Sequence, residues 1–108
     1  MKYSLQGGVQ LIRTEPSIQV QFAIAILITL AGFYFEISRT EWIGQTLCIG
    51  LVMTAEGLNT AIEGIADFIH PDYHEKIGRI KDIAAGAVGF AAIISIVVAA
   101  IIYIPYIF

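Results

Sequence analysis

The sequence predicts an all-α integral membrane fold: three transmembrane helices preceded by an N-terminal amphipathic helix lying in the interface. Three observations lead there. Of the 108 residues, 57% belong to the hydrophobic set and 14% are charged, against roughly 25% charged in an ordinary soluble domain. Three long stretches, 18–35, 41–70 and 80–107, have the length or the helical spacing of apolar residues that a bilayer demands. The segment ahead of them, 1–16, mixes apolar and polar residues at an interval suited to one wet and one greasy face. The length fits a single domain, residues 1–108.

In the first segment Tyr3, Leu5, Val9, Leu11 and Ile12 supply the apolar face, and Gly7 with Gly8 weakens the helix. The run from Ile18 to Phe35 has no charged residue; as a helix it is about 27 Å long, close to the hydrocarbon thickness. Gln19 and Gln21 sit at one end of it, within reach of the interface. The second stretch loses its hydropathy after Ala55, yet no proline interrupts it before Pro71. Leu58, Ile62, Ile65 and Ile69 continue at helical spacing, so one helix from about 41 to 70 is expected, lipid-facing on one side and polar on the other in its second half. The third run carries no charge from Ile83 to Phe108. Tyr103 and Tyr106 suit an interfacial aromatic belt there, and Pro105 lies too near the end to matter.

Charge sets the orientation. Lys2 and Arg13 precede the first span, and Lys76, Arg79 and Lys81 lie between the second and third, while only Arg39 lies in the other loop. The excess of basic residues places the N-terminus and the second loop in the cytoplasm. Six basic residues scattered over three regions leave no nucleic-acid footprint. A single cysteine, Cys48, excludes an intrachain disulfide and reads as a small buried apolar residue. No secretory signal peptide is evident.

The chemistry lies on the second span. Glu56, Asn59, Glu63 and Asp67 fall within roughly 80° of helical arc over about 16 Å of axis, with Thr60 and His70 near the same stripe. Ionisable groups within a membrane segment cost at least about 2.5 kcal/mol each, and three like charges repel. A helix merely emerging into water accounts for Asp67 and in part for Glu63, but poorly for Glu56, the deepest. Carboxylates and an amide oxygen are the hard donors that Mg²⁺ selects, and Mg²⁺ commonly arrives with phosphates. A carboxylate deeper than the metal can take a proton from a hydroxyl presented by the lipid phase. Lys76, Arg79 and Lys81 bring cations to the same side, with Lys81 opening the third helix beside Asp82. The small residues Ala84, Ala85, Gly86, Ala87 and Gly89 permit close helix approach. Neither a Walker A sequence nor a G-x-G-x-x-G is present.

The stretch Glu56-Gly-Leu-Asn-Thr-Ala-Ile-Glu63-Gly-Ile-Ala-Asp67 resembles the signature of the prokaryotic diacylglycerol kinase and undecaprenol kinase family, E-x-[aliphatic]-N-[ST]-A-[aliphatic]-E-x-x-x-D, at every defined position. The loop Pro71-Asp-Tyr-His-Glu75 and the run Ile80-Lys-Asp-Ile-Ala-Ala-Gly86-Ala are also similar to that family, and the likeness covers nearly the whole chain. The resemblance implies a lipid kinase: a homotrimer with sites at subunit interfaces, Mg-ATP as donor, a membrane lipid alcohol as acceptor, and a place in lipid-phosphate and phospholipid metabolism. It implies Glu56 as catalytic base and Glu63 with Glu15 as metal ligands. Tyr3, Glu15, Glu63, Asp72, Tyr73, His74, Lys81 and Asp82 would bind the nucleotide, and Asn59 and Asp67 would line the site. Undecaprenol is favoured over diacylglycerol on the 71–74 loop and the Lys-Asp-Ile-Ala-Ala-Gly run. Two features depart from the family: the surface helix is short, and Pro16 directly follows Glu15, which bends the chain there. Two other classes compete, a proton or cation carrier using the intramembrane carboxylates and a structural subunit of a larger membrane complex. The clustering of the carboxylates toward one end argues against the first, and Glu56 argues against the second.

Overall fold

The computed structural model describes all of residues 1–108, and it is entirely helical: α1 (Lys2–Thr14), α2 (Pro16–Phe35), α3 (Arg39–Ile69) and α4 (Glu75–Ile107). By length and composition α2 and α4 are apolar enough to cross a membrane. The third long helix, α3, reaches 31 residues but carries the polar stripe in its second half, which lowers its hydropathy. As expected from the unbroken spacing past Ala55, it is one continuous helix to Ile69.

One residue separates α1 from α2. Glu15 is extended (φ −103°, ψ 112°) and Pro16 is the first residue of α2. Proline suits that position because its missing N–H is one that a helix start leaves unbonded anyway. The bend expected at Pro16 is thus made by Glu15, while Gly7 and Gly8 are accommodated within α1.

The turn between α2 and α3 is tightly specified. Glu36 closes α2 in the left-handed conformation (φ 51°), and the Ile37 N–H reaches back to the Gly32 carbonyl at 3.1 Å. This is the helix-ending arrangement usually built on glycine, here carried by a glutamate at a modest conformational cost. Ser38 and Glu41 then form a reciprocal capping box that starts α3. Gly32 is required sterically, since a Cβ there would stand 2.7 Å from the Trp42 ring.

Cross-helix contacts give the register. Asp67 meets Lys81, Cys48 meets Ser95, Gln45 meets Tyr103, and Glu41 meets Tyr106, so α3 and α4 run antiparallel along most of their length. The pairing of Ile28 with Gln45 and of Gly32 with Trp42 makes α2 antiparallel to α3. The α3–α4 contact is much the more extensive, and α2 meets α4 only sparsely. At the end near the α2–α3 turn, Ile37, Ile102 and Tyr103 form the buried core, flanked by Phe35 and Trp42.

Tyr103 is therefore not a belt residue. It is buried, with its hydroxyl 2.5 Å from Gln45 Oε1 and 3.2 Å from the Ile28 carbonyl, while Gln45 Nε2 donates to the same carbonyl at 3.3 Å. Polar side chains pack between membrane helices when each finds a partner, and this trio ties α2, α3 and α4 together. Tyr106 does lie near the helix end, donating to Glu41 at 2.6 Å.

Candidate active site

The carboxylate stripe of α3 occupies the opposite end of the bundle from the Tyr103 cluster, beside the start of α4 and the end of α1. Its members have different surroundings. Glu56 is buried at 8% exposure, whereas Glu63 and Asp67 remain exposed. A single chain thus shields the deepest carboxylate with its own helices. The single chain leaves the outer two, Glu63 and Asp67, uncovered.

Two side-chain contacts organise the stripe. Asn59 Nδ2 donates to Glu63 Oε1 at 3.1 Å, one helical turn apart on the same face. The other amide atom, Asn59 Oδ1, is buried without a partner on the single chain, which is uncommon. Asp67 Oδ1 and Lys81 Nζ form an ion pair at 2.5 Å across the α3–α4 hairpin. The lysine uses one of its three donors there and keeps two for an anion.

Lys81 does not open its helix, as the sequence suggested. Helix α4 begins five residues before Ile80, at Glu75, so Lys81 and Asp82 lie in its second turn. The reason is a local cap: His74 Nδ1 accepts the Lys76 N–H at 3.1 Å. The connecting loop is compact. His70 Nδ1 lies 2.6 Å from the Asp72 carbonyl, the His70 and His74 rings are 5.2 Å apart, and the Tyr73 ring stands over Gly78, where a Cβ would come within 3.2 Å of it. Tyr73 is nonetheless 86% exposed, so its other face is open.

Helix α1 reaches the stripe through Leu11. A Cβ on Gly57 would stand 3.2 Å from Leu11 Cδ1, so glycine next to Glu56 admits the surface helix to α3. Glu15 lies one turn after Leu11, half-buried at the α1–α2 break. Tyr3, in the first turn of α1, is 84% exposed. The single chain brings no three of its His, Cys, Asp and Glu side chains together as a metal cluster. Glu15 and Glu63 sit on separate elements, and Asp72 and Asp82 are exposed.

Sequence reasoning missed the Asp67–Lys81 pair and the Leu11–Gly57 contact. The first had a signal, because Lys81 is the one basic residue within the expected bounds 80–107 of a helix that must return along α3. The second had none, since a glycine in a helix announces no partner.

A family model described as prokaryotic diacylglycerol kinase matches residues 2–103. The chain is 40% identical over 93 residues to the undecaprenol kinase of Bacillus subtilis (strain 168), covering 86% of this chain and 76% of that one. To the diacylglycerol kinase of Haemophilus influenzae it is 32% identical over 90 residues, 83% of this chain and 76% of the relative. To the diacylglycerol kinase of Escherichia coli (strain K12) it is 44% identical over 78 residues, 71% of this chain and 64% of the relative.

Proposed function

The chain belongs to the prokaryotic diacylglycerol kinase family, and we propose that it transfers the γ-phosphoryl group of Mg-ATP to the hydroxyl of undecaprenol at the cytoplasmic face of a bacterial membrane. The observation that carries this reading is the buried Glu56 at the inner end of a stripe whose outer end pairs with a lysine. Undecaprenol is preferred to diacylglycerol because the likeness to the undecaprenol kinase of Bacillus subtilis extends over more of the chain than the likeness to the Escherichia coli enzyme.

In this reading α3 also crosses the membrane, as the second of three spans, with its second half rising to the cytoplasmic interface. A lipid alcohol presents its hydroxyl there from within the bilayer. Glu56 accepts the hydroxyl proton as the alcohol oxygen bonds to the γ-phosphorus and the bond to the β-phosphate oxygen breaks, releasing ADP. Burial keeps water away from the base and favours the lipid hydroxyl as acceptor. Lys81, held by Asp67, gives its remaining donors to phosphate oxygens. Tyr3, Asp72, Tyr73, His74 and Asp82 border the nucleotide. Alignment and charge neutralisation supply most of the rate, as is usual in phosphoryl transfer.

The donor set suits magnesium. Glu63 offers an exposed carboxylate steadied by Asn59, whose own Oδ1 lacks a partner, and Glu15, half-buried at the α1–α2 break, would supply a second carboxylate. Mg²⁺ takes one or two protein carboxylates and fills its sphere with water and phosphate, so a three-residue cluster is not needed. When bound, the ion neutralises charge on the transferring phosphoryl group. Glu63 and Asp67 remain open on one chain, and in the proposed homotrimer a neighbouring subunit covers them.

The reading is tested by incubating the purified protein with γ-labelled ATP, Mg²⁺ and either undecaprenol or diacylglycerol in mixed micelles. Label should enter the lipid phosphate, with undecaprenol the better acceptor; label in inorganic phosphate alone would sink the kinase reading. Under the same conditions Glu15→Gln and Glu63→Gln should each raise the Mg²⁺ needed for half-maximal activity. The double variant should lose less than the product of the two, because ligands of one ion are not additive. Strict additivity would separate Glu15 from the metal.

A further inference from the structure

Helix α1 has one side chain drawn into the bundle. Of its 13 residues only Leu11 is partly buried, and the others are exposed. Leu11 Cδ1 lies 3.2 Å from the point where a Cβ on Gly57 would stand. We propose that Leu11 and Gly57 are positioning residues: their contact fixes the place of Glu15 relative to α3 and so sets the affinity for the divalent ion. The proposal rests on the lipid-kinase reading, in which Glu15 and Glu63 hold magnesium, and names what sets one ligand against the other.

Three observations carry it. The first is the burial pattern across the α1–α2 elbow. Leu11 and Glu15 are partly buried and Ile18 is the most buried side chain of the chain at 1% exposure, whereas Arg13, Thr14, Pro16 and Ser17 are exposed. The carboxylate thus sits between two apolar anchors, one on each helix. The second is the backbone. The Glu15 N–H donates to the Leu11 carbonyl at 3.1 Å, and the Glu15 carbonyl accepts the Gln19 N–H at 3.0 Å. Gln19 Nε2 closes the elbow further by donating to the Arg13 carbonyl at 3.1 Å. A shift of Leu11 therefore passes to Glu15 through bonds with little slack. The third is the glycine itself. Glycine inside a helix is a loss relative to alanine, and no glycine of this chain has a positive φ, so the backbone conformation does not demand one at 57. Close approach does. Gly50 and Gly64, two turns to either side on α3, have open space at the same point, and Gly57 has Leu11. Because Gly57 directly follows Glu56, the same contact refers Glu15 to the base as well.

The test uses Mn²⁺, an ion suited by the same oxygen donors as Mg²⁺. It is titrated alone against the intact protein in micelles, with the free ion read by electron paramagnetic resonance. Gly57→Val fills the notch and should weaken Mn²⁺ binding about tenfold, within the coupling range of residues in contact. Leu11→Ala empties the notch and should weaken binding about threefold. The two together place the added methyl groups where the leucine was, and binding should return to within about twofold of the unaltered protein. In the Glu15→Gln background neither change should weaken binding further, because the group that they place is gone. In the kinase assay Gly57→Val should raise the Mg²⁺ needed for half-maximal transfer and leave KM for undecaprenol unchanged. A contact that serves packing alone predicts a lower melting temperature with Mn²⁺ binding unchanged, and that result would overturn the proposal. So would full-sized effects in the Glu15→Gln background, or a double variant that binds no better than Gly57→Val. If Gly57→Val fails to fold, Gly57→Ala takes its place with a smaller loss expected, and unchanged Mn²⁺ binding in that folded variant counts against the contact. The expected pattern of Mn²⁺ binding in a protein that phosphorylates no lipid would uphold the contact and refute the kinase reading instead.

Discussion

Glu56→Gln should lower phosphoryl transfer to lipid by about 10²–10⁴-fold, the range that a positioned general base contributes. The amide has the shape of the carboxylate and neither its charge nor its capacity to accept the proton from the acceptor. The substitution is sterically mild in a buried position, and it removes a charged group that is expensive to bury. Helix content should be kept and thermal stability should hold or rise. ATP binding should persist, because the groups assigned to the nucleotide, Lys81 and the loop after α3 among them, do not include Glu56. The measurements are single-turnover transfer to undecaprenol, nucleotide binding by equilibrium dialysis, and a melting curve in detergent. Near-normal turnover would remove Glu56 from the role of base. Lost ATP binding with intact helicity would move it to the nucleotide site.

Much of this architecture was legible because membrane folding leaves few choices. A charge-free stretch such as Ile18–Phe35 must satisfy its backbone internally, so it is a helix. The unbroken spacing from Leu58 to Ile69 extended α3 through its polar half for the same reason. The stripe was legible because 3.6-residue periodicity places Glu56, Asn59, Glu63 and Asp67 on one face whatever else the chain does. Depth on that stripe was harder to read. Burial of Glu56 and exposure of Glu63 depend on which helices lie against α3, and one sequence states that only weakly. Tyr103 shows the limit most clearly. Its place near the end of an apolar run suggested the interface, but a buried glutamine on α3 and a carbonyl on α2 draw it inward. Nothing in the spacing linked residues 28, 45 and 103. The start of α4 was likewise hidden, because it depends on the His74 ring capping the Lys76 N–H, and histidine is not among the usual cap residues.

Lys81→Met should raise KM for ATP by about 10- to 100-fold, the equivalent of about 1.5–3 kcal/mol for hydrogen bonds to a charged group, and leave KM for the lipid alcohol unchanged. Methionine keeps much of the side chain's length and packing and removes the cation. The Asp67 pair gives this prediction its sharper form. Both side chains are partly exposed, at 37% for Lys81 and 59% for Asp67, so the pair adds little to stability, about 0.2–1 kcal/mol for exposed pairs. Its value lies in orientation: it holds the ammonium at the α3–α4 hairpin with two donors free. Asp67→Asn should accordingly raise KM for ATP by a few-fold and scarcely move the melting temperature. In the Lys81→Met background the same Asp67→Asn change should do nothing further, because the group that it positions is gone. A double-mutant cycle on KM for ATP reads this directly. An Asp67 effect that persists in full without Lys81 would give the carboxylate a task of its own, on the metal or the nucleotide. A Lys81→Met effect confined to the lipid KM would take the lysine out of the phosphate site.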